Sequence, residues 1–165
     1  MNQNLKMDYY NSISDSYNEL HKEEQLNKLR IIKDNLKIKN QDFLLDVGCG
    51  TGIFAEEFNC IKIGIDPSIE MLKQGKNAFY IQAFAEHLPF KDKAFDFVIS
   101  VTAIHNFKNI RKGLEEIKRV SKKDVALSIL KRSSKIDEIK NHIKKLFKIT
   151  KIIEEDKDII FFAKR

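Results

Sequence analysis

The sequence predicts an α/β domain in which a mostly parallel, seven-stranded sheet is covered by helices on both faces and ends in an antiparallel hairpin. Three observations predict it. From residue 42 onward short β-branched apolar runs alternate with helix-forming segments, the pattern that parallel strands with crossover helices produce. The first run passes without a spacer into Gly48-Cys49-Gly50-Thr51-Gly52, where glycines at alternate positions allow positive φ and bring a ligand close to the backbone. The last two apolar runs are separated only by Glu155-Asp156-Lys157. That is too short for a parallel return, so they must pair antiparallel.

Taken in order, residues 8–18 and 19–36 read as two helices, the second carrying Leu20, Leu26, Leu29, Ile32 and Leu36 at near-helical spacing. Residues 1–40 are thus expected to cover one side of a site built on the α/β core of residues 41–165, all within a single domain. Strand 43–47 leads into the glycine turn, and Phe54, Ala55, Glu56, Glu57 and Phe58 give helix-forming sequence over 51–58. Strand 61–65 ends at Asp66, and Pro67-Ser68 opens a helix over 68–75. Strand 78–82, a loop through Pro89, strand 95–101, helix 109–121 and strand 124–130 complete the alternation. Residues 136–147 form a short amphipathic helix, followed by the hairpin strands 148–155 and 158–163.

At 165 residues the chain is large enough to bury a core. No apolar run approaches the length of a membrane span, and Met1-Asn2-Gln3-Asn4 lacks a signal-peptide core. A soluble, cytoplasmic protein is expected. Cys49 and Cys60 have no metal-ligand spacing and read as reduced, structural thiols; His21, His87 and His142 are isolated, so no metal site is expected. The net charge of +6 is unevenly spread: residues 1–107 hold 12 Lys plus Arg against 15 Asp plus Glu, and residues 108–165 hold 18 against 9. Such a basic third suits an anionic partner such as RNA, or is simply a solvated lysine-rich surface.

The glycine turn has two family readings, and spacing separates them. A dinucleotide fingerprint requires glycine at position 53, where this chain has Ile53. Asp46-x-Gly48-x-Gly50-x-Gly52 instead resembles the first motif of class I S-adenosylmethionine-dependent methyltransferases, in which the acid lies beneath the turn near the methionine end of the cofactor. The resemblance covers about residues 9–165. Asp66, at the end of the next strand and followed by Pro67 and Met71, matches the acid that accepts the ribose hydroxyls. Residues 83–90, Ala-Phe-Ala-Glu-His-Leu-Pro-Phe, resemble the family's G-D-A-E-x-L-P-F stretch, and 95–100 its fourth strand. Phe84 replaces the acid that often receives the adenine amino group, so the base would stack on the ring or bond the backbone around Ala85. The closest look is to the compact group that includes ubiquinone- and menaquinone-biosynthesis-like enzymes and many tRNA-modifying ones.

The resemblance implies a Rossmann-like three-layer α/β/α fold, S-adenosyl-L-methionine as cofactor, and methyl transfer to a small molecule or RNA. Cofactor contacts are expected from Asp46, Gly48, Cys49, Gly50, Gly52, Asp66, Pro67, Met71, Phe84, Ala85 and Ser100. Tyr10 and Tyr17, seven residues apart on one helical face, resemble aromatics that close over the methionine end in related enzymes; they read equally as core packing. Ser100, Thr102, His105 and Asn106 follow the fourth strand on the acceptor side. His105 is the candidate general base, or else a histidine bonded to a loop carbonyl. The N-P-P-Y motif that serves nucleic-acid and glutamine amino groups is absent. The chain is short for a methyltransferase with its own substrate lid, which leaves room for an activating subunit. A catalytically inactive methyltransferase-fold protein that binds a partner enzyme or RNA is the alternative, and a nicotinamide enzyme a distant third.

Overall fold

The computed structural model describes residues 22–165. Helix α1 spans residues 22–35. It precedes β1 (Phe43–Val47), β2 (Ile61–Asp66), α2 (Ile69–Leu72), β3 (Phe79–Gln82), β4 (Phe95–Ser100), α3 (Ile110–Val120), β5 (Ser121–Leu130), α4 (Ile136–Leu146), β6 (Lys148–Glu154) and β7 (Asp158–Lys164). The strands form one sheet in the order β3-β2-β1-β4-β5-β7-β6. The first five are parallel, and β7 runs antiparallel to both β5 and β6. The expected fold is present, with β7 inserted between β5 and β6. The more distal of the two expected helices before β1, residues 8–18 with Tyr10 and Tyr17, lies outside the described residues.

Alternation along the central strands builds two cores, one on each face of the sheet. Leu44, Phe97, Ile99 and Phe162 pack with Leu29 and Ile32 of α1 and Leu36 just after it, whereas Leu45, Val98, Val125 and Phe161 pack with Leu114 and Ile117 of α3 and Ile139 and Ile143 of α4. Neighbouring residues of one strand thus serve opposite layers, because the side-chain period of a strand is two. Helix α3 begins where the Asn109 side chain accepts from the Lys112 N–H at 2.9 Å, an N-cap bond.

Two expected helices are shorter than the sequence suggested. Residues 51–58 hold only a 3-10 turn, Ile53–Glu56. After the glycine turn eight residues remain to travel back along a five-residue strand, roughly 17 Å, and an α-helix of that length covers only about 12 Å. A looser path is required. The helix expected over 68–75 is the single turn of α2, capped by Ser68, whose side chain accepts from Met71 N–H; Gly75 and Asn77, the latter at φ 61°, then turn the chain into β3.

No helix separates β3 from β4, so one sheet face near the β3 edge is uncovered by the described residues. Phe79 is 70% exposed, and Phe43, Ile61 and Ile81 on the same face are also exposed. Among the described residues no helix is long and apolar enough to cross a membrane.

Candidate functional site

The chain runs from β1 outward to β2 and β3, then returns to place β4 on the other side of β1. In open α/β sheets ligands bind at such a reversal, outside the carboxyl ends of the strands. A cleft lies there. Asp46, Gly48, Cys49 and Gly50 form its floor, Thr51, Ile53 and Phe54 one side, Val101 after β4 another, and Gln25 and Leu29 of α1 its roof.

The three turn glycines all have positive φ, 80°, 54° and 78° at positions 48, 50 and 52, where a Cβ costs about 1–2 kcal/mol. Their surroundings differ. A Cβ at Gly48 would lie 2.5 Å from Ala103 Cβ, and one at Gly52 would run into the Tyr80 ring, but one at Gly50 would meet only Met71 Cε at 4.0 Å. Glycine at 48 and 52 is thus demanded by the protein's own packing, whereas at 50 it leaves open space above the turn.

The turn's N–H groups are mostly spent inside the protein. Gly48 and Cys49 donate to the Ile65 carbonyl at 2.8 and 2.9 Å, and Gly52 donates to Cys49. Gly50 donates to Asp66 Oδ2 at 3.0 Å, while Ser68 N–H donates to Asp66 Oδ1 at 2.8 Å. Main-chain N–H groups at 48, 49 and 50, which the sequence offered to a ligand, instead fasten the turn to the end of β2, and that at 52 closes the turn on itself. A site that binds phosphate keeps such donors free.

What remains unspent is a carboxylate. Asp46 is buried on β1, and its Oδ1 has no hydrogen-bond partner. Burial first, and the nearby Asp66 charge second, push its carboxyl well above the usual carboxylate range. Asp66 is also raised by burial, against the opposing pull of the Ser68 and Gly50 N–H groups. A buried acceptor without a partner carries a desolvation cost that a cationic or donor group on a ligand would relieve.

The other expected site residues divide. Cys49 and Cys60 are free thiols; burial first, then Asp46 and Asp66, keeps the Cys49 thiol protonated well beyond its ordinary range. Met71 is buried, its Cε 4.0 Å from a Cβ built at Gly50, and Ala85 is buried with its Cβ toward α3. Phe84 is 44% exposed, with Lys108 Nζ 5.1 Å from its ring centroid. Ser100 departs from expectation, because its side chain is fully buried and its hydroxyl donates to the Val47 carbonyl at 2.8 Å. It braces β4 against β1 from inside instead of facing the cleft. Thr102 departs as well, its hydroxyl being held in a buried polar cluster. His105 and Asn106 lie on a 3-10 turn after β4, both half-buried. Among the described residues no group of three His, Cys, Asp or Glu side chains is placed to hold a metal.

Sequence reasoning missed the roof. Gln25 and Leu29 carry no motif, and a leucine at helical spacing signals core packing whether or not a cleft adjoins it. Tyr80, whose ring fills the space beside Gly52, was missed for the same reason.

A glycine turn at a topological switch, floored by a buried carboxylate and short of free N–H donors, is suited to a nucleoside cofactor better than to a phosphate. Residues 45–129, more than half of the chain, match the methyltransferase domain family, and the chain belongs to that family, whose methyl donor is S-adenosylmethionine. It is 36% identical over 172 residues to an uncharacterised protein of Methanocaldococcus jannaschii, an alignment covering 91% of this chain and 66% of that one. It is 36% identical over 107 residues to the demethylmenaquinone methyltransferase of Porphyromonas gingivalis, covering 54% of this chain and 43% of the enzyme. The chain thus spans about two thirds of the first relative and under half of the second. Its fold resembles a chain in the complex between the Haloferax volcanii Trm112 methyltransferase activator and a methyltransferase, with a TM-score of 0.79 at 13% identity, covering 94% of this chain and 96% of that one.

Proposed function

We propose that this protein transfers the methyl group of S-adenosylmethionine to a small-molecule acceptor. The observation that carries the reading is the unpartnered Asp46 carboxylate beneath a turn whose N–H groups are already used. Such a floor suits a nucleoside that carries an ammonium group and no phosphate. Asp46 takes the ammonium of the methionine end. Asp66 accepts the ribose hydroxyls, since each of its oxygens retains an acceptor site beyond the backbone bond it already holds. Phe84 and the backbone at Ala85 receive the adenine, and Tyr10 and Tyr17 close over the methionine end.

Bound S-adenosylmethionine supplies an activated sulfonium leaving group, which leaves the protein to align the acceptor and exclude water. Leu29, Ile53, Phe54 and Val101 give the cleft its apolar walls. Where the acceptor must lose a proton before attack, His105 takes it. Titration of the purified protein with S-adenosylmethionine and S-adenosylhomocysteine tests the reading at its base. Saturable binding of both is expected, and no binding of either would favour the inactive methyltransferase-fold alternative.

Asp46 also makes binding pH-dependent. Its raised pKa means that the free protein keeps this proton to higher pH than an ordinary carboxylate would. An ammonium seated over it favours the ionised form, so binding expels a proton, and affinity rises with pH until the free carboxyl is itself ionised. Affinity for S-adenosylmethionine, measured across pH, should therefore rise as pH rises, and Asp46→Asn should flatten that profile.

The placement of the lysines favours a small acceptor over RNA. Lys164 lies opposite Asp124 and Lys148 at the amino end of β5, whereas Asp158 lies opposite Leu130 at the carboxyl end. Six residues of strand, roughly 20 Å, separate these levels, and Lys144 and Lys145 lead into the distal one. Radiolabel from the cofactor is expected in a metabolite extract and not in total RNA. Changing Lys140, Lys144 and Lys145 to Glu should leave turnover unaltered; label in RNA lost with that triple change would reverse the assignment.

A protein subunit is a further element of this reading. The apolar face around Phe79, Ile81 and Phe43, uncovered by the described residues, is of the kind that marks protein contacts, and the fold is shared with a chain from an activator complex.

A further inference from the structure

The largest fully buried side chain among the described residues is a lysine. Lys28 of α1 is 0% exposed, and its ammonium reaches three elements at once. It lies 2.6 Å from Glu24 on its own helix, 3.1 Å from Asp158 at the start of β7, and 3.1 Å from the Thr102 hydroxyl just after β4. The ammonium donates hydrogen bonds to Glu24 and Thr102, and its contact with Asp158 Oδ1 is an ion pair without hydrogen-bond alignment. Asp158, equally buried, accepts on Oδ2 from Thr102 at 2.7 Å and from the Ser128 hydroxyl. Glu24 in turn holds Lys157 at 2.6 Å. Burial would raise the Glu24 carboxyl, but Lys157 and Lys28 overcome that and hold it at about 2. The two cations and two carboxylates neutralise one another.

We infer that Lys28 is a positioning residue for the cofactor cleft. On α1 it stands between Gln25 and Leu29, which form the roof, and its partner Thr102 follows Val101, which forms a wall. The cluster therefore grips the cleft from behind at both places. Thr102 has a φ of 54°, a left-handed conformation that a β-branched residue avoids unless its surroundings impose it. Its hydroxyl bonds to Lys28 and Asp158 are what impose it. A buried ion pair contributes little net stability compared with well-packed apolar side chains. What this one supplies is geometry, fixing the angle of α1 and the path of the chain after β4. The other polar ties of α1 to the glycine-turn side among the described residues, Lys22 to Glu56 and Arg30 and Lys33 to Glu57, involve exposed cations and hold position weakly.

The inference rests on the reading of the cleft as the S-adenosylmethionine site, and the experiment separates the two. Calorimetric titration with S-adenosylhomocysteine is made on the wild-type protein and on Lys28→Met/Asp158→Asn, which removes the buried charges as a pair so that neither is stranded. Cooperative thermal unfolding serves as the control for folding. The expected result is a double variant that melts cooperatively and binds at least about tenfold more weakly, or about 1.4 kcal/mol. A lowered melting temperature with affinity within about twofold of wild type would make the cluster purely structural and overturn the inference. If the double variant does not fold cooperatively, Thr102→Val, which replaces the hydroxyl with a methyl group, carries the test with the same two outcomes. No binding by the wild-type protein would overturn the cofactor reading, and this inference with it.

Discussion

Gly50→Val should abolish S-adenosylmethionine binding while the protein remains folded. The introduced Cβ would meet only Met71 Cε, at 4.0 Å, and in the proposed complex the space beyond it belongs to the cofactor. The left-handed φ of 54° adds a backbone cost of about 1–2 kcal/mol for a residue with a Cβ, tolerable against a typical stability of about 5–15 kcal/mol. A loss of affinity of about 100-fold or more, about 2.7 kcal/mol, is expected by calorimetry, with a modest fall in melting temperature. Gly52→Ala provides the contrast. Its methyl group runs into the Tyr80 ring, so the melting temperature falls first. Normal binding by Gly50→Val would reduce the glycine turn to a structural bend.

Asp66→Ala should weaken binding by at least about 1.5–3 kcal/mol, the worth of a charge-assisted acceptor. The loss has two sources. The ribose hydroxyls lose their acceptor, and the turn loses its fastening, because the same carboxylate holds the Gly50 and Ser68 N–H groups. Asp66→Asn keeps one carbonyl acceptor and should fall between wild type and alanine. Calorimetry of the three proteins ranks them. Equal affinity in all three, with the fold intact, would remove Asp66 from the ribose.

Much of the site was legible because its residues are constrained one by one. The alternate glycines and Asp46 ahead of them lie within seven residues, Asp66 marks the end of the next strand, and the strand-turn-strand path leaves them little freedom. Ser100 and Thr102 were misjudged because position after a strand says which end of the sheet a residue occupies, not which way its side chain turns. Ser100 turns inward to Val47, and Thr102 toward Lys28 and Asp158. The 51–58 segment was misjudged because local helix propensity takes no account of the distance the chain must cover.

By itself the sequence determined the parallel α/β alternation, the terminal hairpin, the family and its cofactor, all of which are written in local periodicity and short motifs. Only the tertiary structure decided that β7 lies between β5 and β6, that the turn's N–H groups are spent, and that Lys28 is buried against Asp158, far along the chain. The physical reason is the range of the interactions. A glycine turn or an amphipathic strand is favoured by its own few residues, whereas one lysine among 30 basic residues acquires its role from partners that only the packed sheet brings within 3.1 Å.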